Sequence, residues 1–200
     1  RSFIKMVRPF VLAPSSKRLD VEQGLAIVEE VRSVKERIDA KMAERGQEQR
    51  NVKLGGGGIR EIEFFVQTIQ VLAGRRLPEI LDRGTVGSLA RLHNAGILSA
   101  KQQSGLTRAY QFLRDVEHKL QMVHDLQTHA LPDREDKLER CAIRMGYTGA
   151  SRSAALKQFQ ADHAAHRTVV HDIFRSFFET PNTSAMLKKT FRLIGRQPVK

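Results

Sequence analysis

From Leu106 onward the chain places an apolar residue at alternating steps of three and four: Leu106, Ala109, Leu113, Val116, Leu120 and Val123. That spacing lines one face of an α-helix and cannot line one face of a strand, whose period is two. A long helix with so narrow a seam needs other helices packed against it. The same rhythm recurs at Ile27, Val31, Val34, Ile38 and Met42, at Ile59, Ile62, Val66, Ile69 and Ala73, and at Leu156, Phe159, Val170, Ile173 and Phe177. No segment shows clean two-residue alternation, and no repeat at a solenoid period is present. The fold class expected is all-α: an elongated helical bundle of about six helices, with no sheet.

Stop and start signals give the boundaries. Helices are expected over 20–45 (stopped by Gly46), 59–73 (stopped by Gly74), 85–95 with Thr85 as N-cap, from Ser99 to about 129, from Asp133 to about 146, and from Ser151 or Ser153 to about 179. Residues 75–84 form a loop around Pro78. The domain division expected is an irregular lead-in over 1–18, the bundle over 19–180, and a basic tail or linker over 181–200.

Composition narrows the function classes. No apolar run is long enough to cross a bilayer, and no signal-peptide pattern opens the chain. The single cysteine, Cys141, excludes an internal disulfide framework and suits a reducing compartment, so the cytoplasm is the expected location. With 34 Lys+Arg against 22 Asp+Glu the net charge is +12, which invites anionic partners. Only 6% of residues are aromatic and no arginine-rich arm occurs, so a base-stacking platform is not evident and nucleic acid is not an expected partner.

Two features carry chemistry. One is a polar row on the long helix, Tyr110, Arg114, Glu117, Gln121, His124 and Thr128, directly beside the apolar seam. The second is the run Lys53-Leu54-Gly55-Gly56-Gly57-Gly58 leading into Ile59, after which Arg60, Glu63, Gln67 and Gln70 form a polar row flanked by Phe64 and Val71. A glycine run is costly in backbone entropy. It implies a close backbone approach, an unusual turn, or an anion at the helix start, where backbone N–H groups and the helix dipole favour phosphate and Lys53 adds a charge. His163 and His166 fall on the seam of the last helix and read as neutral, hydrogen-bonded bundle histidines in preference to metal ligands; no metal site is expected. Cys141 reads as a buried small apolar residue.

The stretch Lys53-Leu54-Gly55-Gly56-Gly57-Gly58-Ile59-Arg60-Glu61-Ile62-Glu63-Phe64 closely resembles the Lys-Leu-Gly-x-Gly-Gly-Ile-Arg-Glu-Ile-Glu-Phe signature of bacterial glutamine synthetase adenylyltransferases. Arg8-Pro9-Phe10, Phe112-Leu113-Arg114-x-x-Glu117-x-x-Leu120-Gln121 and Gln127-Thr128-His129-Ala130-Leu131-Pro132 resemble further family motifs in the same order, so the likeness covers about 8–180. The family's enzymes have two homologous halves, each a nucleotidyltransferase domain followed by a helical domain. Arg60-Glu61 is similar to the adenylyl-removing half, whereas the other half reads Gly-Gly-Ile-x-Asp. The resemblance implies a nucleotidyltransferase that removes AMP from a glutamine synthetase tyrosine by phosphorolysis, giving ADP. The related PII uridylyltransferases, with Gly-Gly-Leu-Arg-Asp, fit less well and remain the alternative, together with a basic module that docks nucleic acid or protein.

The Asp-x-Asp pair that such enzymes use to hold two cations is absent from the sequence, so the chain is expected to be the helical domain alone and inactive by itself. No catalytic residue is expected in it. The residues expected to face phosphate, nucleotide or the adjoining domain are Lys53, Gly55, Gly56, Gly57, Gly58, Arg60, Glu61 and Glu63, supported by Arg114, Glu117 and Gln121. Mg2+ and ATP, ADP or phosphate are implied for the intact enzyme only. The implied partners are glutamine synthetase, the PII signalling protein and the enzyme's own nucleotidyltransferase domain.

Overall fold

The structure, a computed structural model, describes residues 21–124, 129–178 and 188, with no side-chain description for Val21, Val123 and His124. The lead-in over 1–18 with its Arg8-Pro9-Phe10, Gln127-Thr128, and all of the 181–200 tail but 188 lie outside the described residues, as do the side chains of Val123 and His124 on the predicted rows.

The described residues form six α-helices and no strand: α1 Val21–Glu44, α2 Ile59–Ala73, α3 Thr85–Asn94, α4 Ala100–His124, α5 Glu135–Arg144 and α6 Arg152–Phe178. The all-α expectation holds, and each helix starts within two residues of its sequence signal. Ser99 caps α4 as a reciprocal box: its Oγ accepts from Gln102 N at 3.2 Å while Gln102 Oε1 accepts from Ser99 N at 3.0 Å. Ser151 Oγ accepts from Ala154 N at 3.1 Å at the start of α6.

Two expectations need correction. Thr85 is the first helical residue, not the cap; the N-cap is Gly84, with no side-chain bond, and Asp82 Oδ1 accepts from Gly84 N instead. The long helix does not extend to 129. It is described to His124, and His129 and Ala130 are extended chain, held by an isolated antiparallel bridge between Asn51 and Ala130. Long-range backbone pairing outweighed local helix propensity there.

The chain separates into two compact units. The boundary between them falls inside α1, α2, α4 and α6. The first holds the described parts of Arg1–Lys35, Glu63–Ser104 and Ile173–Lys200. Its core contains Phe65, Ile69, Leu72, Ile80, Leu89, Leu92, Phe174 and Phe177, with Phe65 and Phe177 edge to face at 5.3 Å. Gln70 of the predicted polar row pins the 75–84 connection: its Nε2 donates to Ile80 O at 3.2 Å and Ser88 Oγ at 2.9 Å. That connection contains a 3-10 turn, Pro78–Ile80.

The second unit is Glu36–Ile62 with Gly105–Asp172. The seam of α4 contributes Leu106, Ala109, Leu113, Val116 and Leu120 to its buried residues, which also include Val52, Ile59, Ile62, Leu156 and Phe159. Fully burying a side chain of this size is worth about 1.5–3 kcal/mol. The glycine run and the two clusters described next lie within this unit.

Candidate functional site: the clamped glycine loop

Asn51 opens the loop. Its Oδ1 accepts from Lys53 N at 3.1 Å and Leu54 N at 2.8 Å, a side-chain-capped turn that sets the chain's direction into the glycines. On either side of Asn51, Val52 N donates to His129 O and Leu131 N donates to Arg50 O, both at 2.8 Å. The His129-Ala130-Leu131 segment is thereby laced to the loop.

The glycines allow close approach. A β-carbon on Gly55 would stand 2.6 Å from Asn51 O and would overlap Glu48 O. On Gly58 it would lie 2.8 Å from the carbonyl oxygens of Val52, Lys53 and Gly55. Gly57 has φ +70, and a β-carbon there would sit 2.7 Å from the carbonyl carbon of Arg167 on α6. Gly56 alone is permissive, its nearest neighbour being the His171 ring at 3.8 Å. It is also the variable position in the family signature quoted above.

The amides at the start of α2 are occupied from within the loop. Ile59 N donates to Val52 O at 3.0 Å, Arg60 N to Lys53 O at 2.9 Å and Glu61 N to Gly58 O at 3.1 Å. These are the first amides of α2, the ones left open at a bare helix start, and here the loop's own carbonyls satisfy them.

Two charged clusters hold the loop. At the first, the carboxylate of Glu117, 1% exposed, gathers three basic groups. Arg114 donates from Nη1 to Oε2 at 2.5 Å, Lys53 Nζ stands 3.4 Å from Oε1, and His129 Nδ1 approaches Oε1 at 2.9 Å without hydrogen-bond alignment. The Lys53, Arg114 and His129 side chains remain 27%, 36% and 24% exposed, so their outer faces stay open to solvent. Burial, then the Lys53 charge, push the His129 pKa below the ordinary histidine value, while Glu117 pulls the other way. At neutral pH the cluster carries an excess of positive charge, from Lys53 and Arg114 against one carboxylate.

At the second, Arg167 on α6 reaches back across the loop. Its Nε donates to Gly56 O at 2.8 Å, Nη2 to Glu48 O at 3.0 Å, and Nη1 to Gln49 O. Burial lowers its pKa and the charge of Glu61 opposes that shift. Glu61, also 1% exposed, places Oε2 3.3 Å from His171 Nδ1. An open cleft of about 620 Å³ lies alongside, lined by Gly56, His163, Arg167, Thr168 and His171 among others.

Of the predicted site residues, the structure thus brings Lys53, Arg114 and Glu117 together, and sets Glu61 beside His171. Arg60 and Glu63 are half-buried on α2, and Gln121 is half-buried outside both clusters. His163 corrects one expectation: it is buried and neutral, its pKa lowered to about 4 by burial, but Nε2 has no hydrogen-bond partner among the described residues. It stacks on Phe159 at 5.9 Å and neighbours Phe112, which packs on His166 at 4.6 Å. Sequence reasoning missed Arg167 and His171. The available signal was weak: Arg167 lies next to His166, one position off the apolar seam.

Comparisons with known proteins fit this arrangement. A family model described as GlnD PII-uridylyltransferase matches residues 32–178. Curated relatives named bifunctional glutamine synthetase adenylyltransferase/adenylyl-removing enzyme include that of Agrobacterium fabrum (strain C58), 44% identical over 151 residues, 73% of this chain and 14% of the relative. That of Mesorhizobium japonicum is 41% identical over 174 residues, 82% of this chain and 17% of the relative. That of Rhodopseudomonas palustris (strain HaA2) is 46% identical over 129 residues, 64% of this chain and 12% of the relative. The chain therefore spans less than a fifth of the length of these relatives. The match over both clusters and the loop between them shows that the chain belongs to the family of the GlnD PII-uridylyltransferases and the glutamine synthetase adenylyltransferase/adenylyl-removing enzymes.

Proposed function

We propose that this chain is the helical domain of the adenylyl-removing half of a glutamine synthetase adenylyltransferase. In the intact enzyme, an oxygen of inorganic phosphate would bond to the phosphorus of AMP. The P–O bond to the glutamine synthetase tyrosine would break, the phenolate would take up a proton, and ADP would leave. The observation that carries the reading is the glycine loop clamped from both sides, with Lys53 and Arg114 held on the buried Glu117 and partly open outward. Fixed cations of this kind stabilise charge developing on phosphoryl oxygens without reorganising. With its first amides satisfied internally, the loop acts as a stiff wall, and the cationic side chains, not the backbone, would face the nucleotide or the adjoining nucleotidyltransferase domain.

Metal chemistry would belong to that adjoining domain. Among the described residues no three His, Cys, Asp or Glu side chains are grouped to hold an ion, and Glu61 and Glu117 are both engaged by basic groups. Glutamine synthetase is the substrate named by the relatives, and the PII protein is a proposed regulator. No described helix is long and apolar enough to cross a membrane. The uridylyltransferase reading accounts for the family model equally well. Arg60-Glu61 and the relatives at 41–46% identity favour the adenylyltransferase.

The test uses the full-length enzyme. Arg60→Ala or Lys53→Ala should lower deadenylylation by roughly tenfold to a hundredfold, the range for removing one charge-stabilising group, with adenylylation within about twofold of wild type. Equal loss of both activities, or loss of neither, would refute the assignment to this half.

A further inference from the structure

The second unit also holds a small cavity of about 130 Å³ between α4, the turn at Pro132 and α5. Its wall is cationic: Lys119 from α4, and Lys137, Arg140 and Arg144 from α5. No carboxylate lines it; Asp133 and Asp136, outside the lining, interact with Lys137 and Arg140 through space but form their close pairs with Arg50 and Arg134 instead. On α5 the spacing 137, 140, 141, 144 is one helical face, while Glu135 and Glu139 project from the opposite face. The floor is apolar, made by Leu120, Pro132 and the buried thiol of Cys141.

Four like charges around one recess repel each other, and a bound anion is the natural relief. A single carboxylate would neutralise one of them; a phosphate, with more charge and three acceptor oxygens, suits two arginines and two lysines better. The recess is close in size to a cavity of about 150 Å³ that admits a benzene ring. An inorganic ion would leave the apolar floor unused.

We infer that this pocket binds a small organic phosphate, with its ring-sized body on Leu120, Pro132 and Cys141 and its phosphoryl oxygens on Lys119, Lys137, Arg140 and Arg144. The pocket also adjoins the loop through the chain, since Pro132 follows Leu131, whose N–H is bound to Arg50 O, and Lys119 follows Glu117 by two residues. The inference does not depend on the function proposed above.

The experiment is calorimetric titration of the 200-residue chain with phenyl phosphate, phenol and orthophosphate as probes. Phenyl phosphate should bind saturably, with phenol and orthophosphate each at least about tenfold weaker, because each keeps only half of the recognition. Arg140→Glu and Arg144→Glu, both at exposed positions, should each weaken phenyl phosphate by about tenfold or more, while Lys157→Glu, equal in charge change but outside the pocket, should not. Absence of saturable phenyl phosphate binding would overturn the inference. So would orthophosphate binding as tightly as phenyl phosphate, or a loss that follows Lys53→Glu or Arg114→Glu and spares the α5 variants.

Discussion

Gly57 and Gly56 are neighbours in the same run, yet an alanine should have opposite consequences at the two. At Gly57 the backbone is left-handed, with φ +70, which costs an alanine about 1–2 kcal/mol. Its methyl group would also meet the backbone of Arg167, 2.7 Å from the carbonyl carbon. That obstacle is main chain of α6 and cannot rotate away, so the loop must lift. Overpacking of this kind costs a further ~1–3 kcal/mol. Lifting the loop also stretches the bond from Arg167 Nε to Gly56 O. The expected destabilisation for Gly57→Ala is therefore about 2–5 kcal/mol, the sum of these terms.

At Gly56, φ is outside the left-handed region and the nearest atoms are 3.8 Å away, an ordinary contact. Alanine there restricts the unfolded chain and should change stability by no more than about 1 kcal/mol, with stabilisation the expected sign. Urea unfolding followed by circular dichroism measures both. A separation of at least about 2 kcal/mol, some thirtyfold in the unfolding equilibrium, is expected between the two variants. If Gly57→Ala lies within about 0.5 kcal/mol of wild type, or Gly56→Ala is as damaging, close packing against α6 is not why these glycines are there.

Arg167→Lys should lose most of what Arg167→Ala loses, several kcal/mol at ~1.5–3 per charged hydrogen bond, because an ammonium cannot span three carbonyls; rescue by lysine in a urea titration would refute the clamp. His163 has a pKa of about 4 when folded against about 6.5 unfolded, so the unfolded state binds more protons below pH 6.5. Stability should then be fully present above pH 6.5 and fall by about 3 kcal/mol as the pH drops to 4. His163→Gln should flatten that limb, and an unchanged acid slope would count against it. Because Glu117 raises the His129 pKa against burial and Lys53, Glu117→Gln should lower it further in an NMR titration; a rise would contradict the geometry of the cluster.

The loop shows where sequence and structure part company. Lys53, Arg114 and Glu117 are legible as site candidates, since a polar row beside an apolar seam and a lysine before glycines are local patterns; Glu61 is a candidate through the family resemblance alone. Their partners are not legible. His129 reaches Glu117 because an extended bridge brings 129–131 against 50–52, and His171 and Arg167 reach the loop from more than a hundred residues away. Pairings at that separation leave no mark at helical spacing. The Gln70 side chain, likewise, is legible as a member of a polar row, but its service as a pin for a distant connection is not.

The sequence by itself determined the helical class, the start of each helix to within two residues and the apolar seams, because stop and start signals and the 3.6-residue period are properties of neighbours along the chain. It also determined that four glycines needed a reason. Only the tertiary structure decided which reason applied. Gly55, Gly57 and Gly58 admit backbone where any side chain would collide, and the helix amides that could have held an anion are satisfied by the loop itself. Charge was left for the side chains to supply, and their positions depend on which distant segments the core brings together.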